Sequence, residues 1–551
     1  MAKKWKRVTG VALSFTLLTT SFLALTACGS NSNAGAQDNI IRAYGCEPKN
    51  PLVPGNTSET CGGNPLDLLF EGLVSYDGEQ GKVVNSVAES IKTEDSQHFK
   101  VTLKPGMKFS DGTAVNAESF VDAWNYTANT ANAQSGQSFF DKIEGFDEVS
   151  KKDATQDQKL SGLKLVDDTH FDITLDAPSA TFVTSLVATA YFPLPKAFFK
   201  DPKTFGTDAA HTIGNGPYKL KNYVHDSKIE LAVNEEYKGA DKPQNDGIEF
   251  LVYAGSANDA AFADIQSGTL DALETTKTDN YVNNKNDSRI QWKVEVSNNY
   301  ASISIPGYLK HFGFDEEGKL RRAAISKSLD RKAFIEKIAK GLAVQPTSFS
   351  PVSKSISGSV DKIEGNDVLE FNAAEAKELW EKANKISPWE SGETFKLFYN
   401  GDSGGKEAFD AYANSIKETL GINCVSEGTS DFKTLLHMMA DKKVEGAYKD
   451  NWQLDYPSIE NILQPLFKSN ADSNYTGYES EEFDELLNQA AKQVDIDKAN
   501  ALFTKAQEVL IKDLPSIPTT YGYNKGAFSP KVKNVKYNWK GVPDYLRMSK
   551  K

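Results

Sequence analysis

Apolar residues occupy every second position in 98–103 (HFKVTL), 170–175 (HFDITL) and 228–233 (KIELAV). Each run predicts a strand with one buried face. Elsewhere the period lengthens to that of a helix. In SEEFDELLNQAAKQV, residues Phe483, Leu486, Leu487, Ala490 and Val494 share a side, acids fill the first turn, and Ser480 stands where a cap is needed. Asn372 and Glu375 open another helix at capping-box spacing. The stretch Leu320–Gly341 predicts two short helices, broken near Asp330 and stopped by glycine. FKLFYN (395–400) predicts a strand and KEAFDAYANSIKETL (406–420) a helix. This mixture, sustained along the chain, predicts an α/β protein of more than one lobe.

The first 27 residues break the pattern. MAKKWKR is basic, Val8 to Ala27 is rich in Leu, Val, Phe and Ala, and Leu25-Thr26-Ala27-Cys28 closes the run. This is a targeting segment, set aside from the fold. An ordinary signal peptide or a transmembrane anchor would share its charge and hydropathy. Its end resembles a bacterial lipobox, which implies a lipid on Cys28, and the polar 28–39 has the composition of a flexible tether.

Of 551 residues, 39% are hydrophobic and 25% charged, and mean hydropathy is −0.47, which argues against disorder, collagen or a polytopic membrane protein. Net charge is −13; removing the four positive charges of Lys3, Lys4, Lys6 and Arg7 takes it to −17. So acidic a surface disfavours nucleic acid as a partner. Beyond Cys28 there are Cys46, Cys61 and Cys424. In an oxidising compartment Cys46 and Cys61 could close a short loop, worth about 3 kcal/mol in the chain-entropy model. Cys424, in the apolar run GINCVSEG, reads as a packed small hydrophobe. The six histidines are scattered without ligand spacing, so no metal and no cofactor is expected.

One stretch is far more specific: FKVTLKPGMKFSDGTAVNAESFVDAWNY (99–126). Pro105-Gly106 and Asp111-Gly112 make turns, and Asn116 caps a helix that buries Phe120, Ala123 and Trp124. It resembles the signature of the family 5 extracellular solute-binding proteins, the oligopeptide- and dipeptide-binding components of ABC importers. The resemblance continues through LLFEGLVSYD (68–77), IGNGPYKL (213–220), LRRAAISKSLDRKAFIEKIAKGLA (320–343), NWQLDYPS (451–458) and LPSIPTTYGYNKGAFSPKVKNV (514–535), in matching order and spacing.

That resemblance implies a two-lobe clamshell of the periplasmic-binding-protein type (type II, cluster C). Lobe I would run 40–298, with an extra subdomain near 86–205, lobe II 299–519, and 520–551 would return to lobe I. It also implies a peptide ligand, an ABC permease with its ATPase subunits as partner, and a monomer. With Cys28 lipidated, the protein would sit on the extracytoplasmic face of the cell membrane. The same fold serving an oligosaccharide or another small solute is the alternative.

For the site, the resemblance implies that Asp455, three residues after Trp452, pairs with the peptide α-ammonium. A cleft closing over a charged amine must supply an opposite charge. Asn451 and Gln453 would exchange backbone hydrogen bonds with an extended peptide, and Trp452 would wall the cleft. Thr60 and Gly62, before LLFEGL, would face ligand from lobe I. Gly401-Asp402-Ser403-Gly404-Gly405 and Ala209-Ala210-His211 echo serine-protease motifs. A strand before the glycines and a helix after them make a connecting turn instead, so no enzyme is expected.

Overall fold

The structure, a computed structural model, describes residues 39–57, 59–254, 258–403 and 405–550. Cys28 and the targeting segment lie outside the described residues.

Two sheets organise the chain. The first runs in the order Gln291–Val296, Tyr521–Phe528, Ala272–Leu273, Ile40–Gly45, Gly247–Val252, Lys228–Val233 and Tyr218–Val224, with Ala343–Val344 joining at Tyr521–Phe528. The second has the order Asn423–Thr429, Thr394–Asn400, Ala447–Trp452, Tyr300–Ser304 and Ser516–Pro518. Its first three strands are parallel, and the last two are antiparallel to their neighbours. Each sheet anchors its own hydrophobic core. The chain leaves the first sheet after Val296, enters the second at Tyr300, and returns between Pro518 and Tyr521. This is the expected α/β clamshell of two lobes.

A third sheet, Ala88–Lys92, His98–Leu103, His170–Thr174 and Leu163–Leu165, lies within the stretch expected to form an extra subdomain. Phe171 packs on Phe120 and Trp124 of helix Ala117–Ala128, Phe99 packs on Phe182, and these residues and Val101 share one core with the first sheet. Asn116 caps that helix through a reciprocal pair with Ser119, and Gly106 and Gly112 take the positive φ their turns require.

Local signals hold elsewhere. Ser480 accepts from the Phe483 N–H at 3.3 Å, Asn372 from Glu375 at 3.1 Å, and Asp330 from Ala333 at 2.8 Å, where helices Glu316–Ser328 and Arg331–Lys337 meet. One expectation fails. The helix after Ser480 ends at Ala491, and Val494 is exposed in the turn that precedes helix Ile496–Asp513. Cys424 is buried and unbonded, and burial pushes its thiol up to about 12. Cys46 and Cys61 are joined, with Cα atoms 5.0 Å apart, tying the end of strand Ile40–Gly45 to the start of helix Thr60–Leu69.

Lobe II buries three arginines completely. Arg321 lies against Trp380 and Trp389 and donates to Glu317 at 2.9 Å. Arg322 donates to the carbonyls of Ile305 (2.7 Å), Leu514 (3.1 Å) and Phe312. Arg331 donates to Pro518 (2.9 and 3.1 Å), Leu369 (2.7 Å) and Ser326 (2.9 Å). Burial lowers Arg322 to about 9 and Arg331 to about 10, so both still carry charge at neutral pH. Arg331→Met would leave three buried carbonyls without this donor. It is expected to lower stability by about 3 kcal/mol in urea unfolding. A loss under about 1 kcal/mol would show that those carbonyls find other donors.

Candidate functional site

Strand Ala447–Trp452 carries the segment expected to bind ligand. It pairs along its length with Tyr300–Ser304, whereas its pairing with Thr394–Asn400 covers only Ala447 and Tyr448. Among the described residues, its later part therefore has a strand neighbour on one side only. Asn451 and Gln453 are exposed there, with Trp452 half-buried between them.

Past the strand, one side chain arranges the rest. Asn461, buried in the first turn of helix Glu460–Phe467, accepts from the Asp455 backbone N–H at 2.8 Å and from Trp452 Nε1 at 3.3 Å. Its amide nitrogen donates to Asp455 Oδ2 at 3.3 Å. The Trp452 ring and the Asp455 carboxylate are thus fixed by the same group. Asp455 is open to solvent, yet protein surrounds it closely enough that desolvation raises its pKa above the ordinary carboxylate value, against the pull of Asn461. That combination describes a carboxylate inside a cleft.

The cleft is a cavity of about 480 Å³ between the extra subdomain and lobe II. Phe139, Asp141, Lys142 and Tyr191 line one side, and Trp452, Asp455, Tyr456, Glu460 and Asp472 the other. Glu460, 4% exposed, joins the two sides. It accepts from Lys142 Nζ at 3.3 Å, from the Thr181 hydroxyl at 3.2 Å, and from the Tyr456 hydroxyl. A second cavity of about 450 Å³ continues on the far side of this bridge toward Thr181 and Glu485. A wider recess of about 690 Å³ around Leu309 and Trp389 contains none of these residues.

Thr60 and Gly62 do not line the cavity around Asp455. Thr60 is exposed at the start of its helix, while Gly62 is buried. The Gly62 N–H donates to the Glu59 carboxylate at 3.1 and 3.2 Å, and a Cβ there would lie 3.1 Å from that carboxylate. Gly401–Ser403 form a single turn between strand and helix, and His211 holds Asp208 at 2.8 Å.

Comparison with known proteins decides the class. Residues 82–474 match the model for bacterial extracellular solute-binding proteins, family 5. The chain belongs to this family. The periplasmic oligopeptide-binding protein of Salmonella typhimurium is 27% identical over 534 residues, covering 94% of each chain. The oligopeptide-binding protein of Bacillus subtilis is 25% identical, again with 94% of each covered. Among solved structures, a periplasmic murein tripeptide-binding protein in an unliganded open form superposes with a TM-score of 0.80 at 23% identity, covering 94% of this chain and 98% of that one. No helix long and apolar enough to cross a membrane occurs among the described residues.

Sequence reasoning missed Lys142, Glu460 and Asn461 in this solute-binding protein. The one available signal was a polar Glu-Asn pair opening the apolar helix after Pro457-Ser458. It also missed Asp450, two residues before Trp452. Ser304 donates to Asp450 at 2.8 Å, and the Tyr300, Ser302, Ser304 and Ser516 hydroxyls form a chain behind it with spacings of 2.6 to 2.9 Å.

Burial pushes Asp450 up to about 6, only partly countered by the Ser304 hydroxyl. An unfolded Asp titrates near about 3.9, so between these values the folded state binds the extra proton. This group therefore adds stability as pH falls through about 6 and opposes folding above it. Asp450→Asn is expected to raise the melting temperature at pH 7.5 and to abolish its own share of the gain between pH 6 and 4. A variant less stable than the parent at pH 7.5 would overturn that reading.

Proposed function

We propose that this solute-binding protein captures peptides with a free amino terminus between its lobes and delivers them to an ABC permease, without making or breaking a bond. The observation that carries the reading is Asp455: a solvent-reachable, desolvated carboxylate fixed beside Trp452 in an interlobe cavity, with no cation paired to it among the described residues. A peptide α-ammonium supplies that charge, through charge-assisted hydrogen bonds worth about 1.5 to 3 kcal/mol. The strand edge at Asn451–Gln453 offers backbone groups to an extended chain, which recognises peptides irrespective of their side chains. Thr60, exposed at the start of helix Thr60–Leu69, faces the ligand from lobe I on closure, and Gly62 acts by holding that helix's first turn, since its N–H is bonded to Glu59. The relatives named as oligopeptide-binding proteins support the same solute class.

In this reading the lobes are 40–298 with 520–551, and 299–519, and closure bends the two crossings at Ser297–Asn299 and Thr519–Thr520. Binding shifts an open-closed equilibrium, and the closed form presents both lobes to the permease. The protein works as a monomer, held at the extracytoplasmic face of the membrane by a lipid on Cys28. Cys28→Ala is then expected to move the protein from the membrane fraction to the medium; unchanged membrane retention would remove the anchor.

The test of the peptide reading is a thermal melt of the body from residue 39 with matched peptides, amino termini free or acetylated. At a concentration near 100 Kd a ligand adds about 2.7 kcal/mol, which a melt resolves. Free peptides are expected to raise the melting temperature and acetylated ones to leave it unchanged. Asp455→Asn is expected to weaken binding by about tenfold or more. Because the ionised carboxylate is what binds the amine, and its pKa is raised, affinity is expected to fall on acidification at a higher pH than an ordinary Asp would give. An Asp455→Asn protein binding as tightly as the parent would remove Asp455 from the site.

A further inference from the structure

The cavity around Asp455 holds more negative charge than a peptide amino terminus neutralises. Among the described residues its one lining cation, Lys142, is already bonded to Glu460 at 3.3 Å and lies over the Tyr456 ring. Asp455, Asp141 and Asp472 remain, and among the described residues no lysine or arginine forms an ion pair with any of them. Asp455 answers the α-ammonium in the reading above. Asp141 and Asp472 are both exposed and stand on opposite walls, one on the extra subdomain and one on lobe II. Protein surrounding Asp141 raises its pKa, Lys142 offsets this in part, and the negative charges of Glu460 and Asp472 raise it further. Phe139 and Pro465, lining the same cavity, supply apolar wall between the polar groups.

Resting on the peptide reading, we propose that Asp141 and Asp472 select peptides whose first residue carries a second positive charge, a lysine or an amine of similar length. The methylene stem would lie along Phe139 and Pro465, and the terminal ammonium would sit between the two carboxylates. Two like charges facing each other across the lobes also disfavour closure of the empty cleft, and a cation between them reverses that sign. Charge complementarity thus couples selection to closure.

The experiment compares Lys-Ala-Ala with norleucine-Ala-Ala, both with free amino termini, by calorimetry on the body from residue 39 at low and high salt. Norleucine keeps the stem and removes the charge. The expected result is about tenfold tighter binding of the lysine peptide at low salt, shrinking as salt rises. In Asp141→Asn/Asp472→Asn, shown to be folded by its melt, the affinity ratio is expected to fall to within about twofold. Equal affinity of the parent for the two peptides, with both still dependent on a free amine, would overturn the selection and leave the peptide reading standing. A tenfold ratio that persists in the double variant would overturn its assignment to these residues. Failure of every free-amine peptide to bind would overturn the peptide reading, and this inference with it.

Discussion

A guanidinium removed from water must find acceptors in the protein, and lobe II is assembled around that demand. Arg322 collects the carbonyls of Ile305 and Leu514, and Arg331 collects Pro518, Leu369 and Ser326. Ile305 follows one crossing strand, while Leu514 precedes and Pro518 ends the other. The arginines therefore hold the ends of the two strands through which the chain enters and leaves the lobe. Leaving either charge or its carbonyls unmatched would be strongly unfavourable. The central strand Ala447–Trp452 is hydrogen-bonded to this pinned pair, so the position of Trp452, and through it Asp455, descends from the same constraint.

The cleft obeys the opposite rule. Asp455, Asp141 and Asp472 keep contact with solvent and, among the described residues, have no ion-pair partner, so their charge remains available to a ligand. Glu460 shows the contrast. Three donors satisfy it from both sides of the cavity, and it serves as a joint between extra subdomain and lobe II. Among the described residues, the Asp455 carboxylate has only Asn461, a neutral partner that orients it without neutralising it. Orientation by an amide and neutralisation by an ammonium are different jobs, and the two acids sit five residues apart.

Much of this was legible in advance because the forces involved are local. Asn116, Ser480, Asn372 and Asp330 cap helices three residues away, and strands 98–103 and 228–233 announce themselves by alternation. The segment from Asn451 to Asp455 was legible as a resemblance, its Trp and Asp standing at matching positions. Val494 misled, since a helical period persists in the sequence one turn beyond where the chain bends away. Gly62 was expected to face ligand, but it lies in the first turn of helix Thr60–Leu69, where Glu59, three residues before it, caps the helix by taking its N–H.

The sequence by itself determined the elements, the family and the candidate carboxylate, because capping, periodicity and motif spacing act over a few residues. Only the tertiary structure decided the company Asp455 keeps. Lys142 meets Glu460 across 318 positions of chain, and Asp141 and Asp472 line the same cavity. No local preference encodes such pairs. They exist because two separately built cores are brought face to face by a chain that crosses twice, and burial at that face then sets which charges are matched and which are left for a ligand.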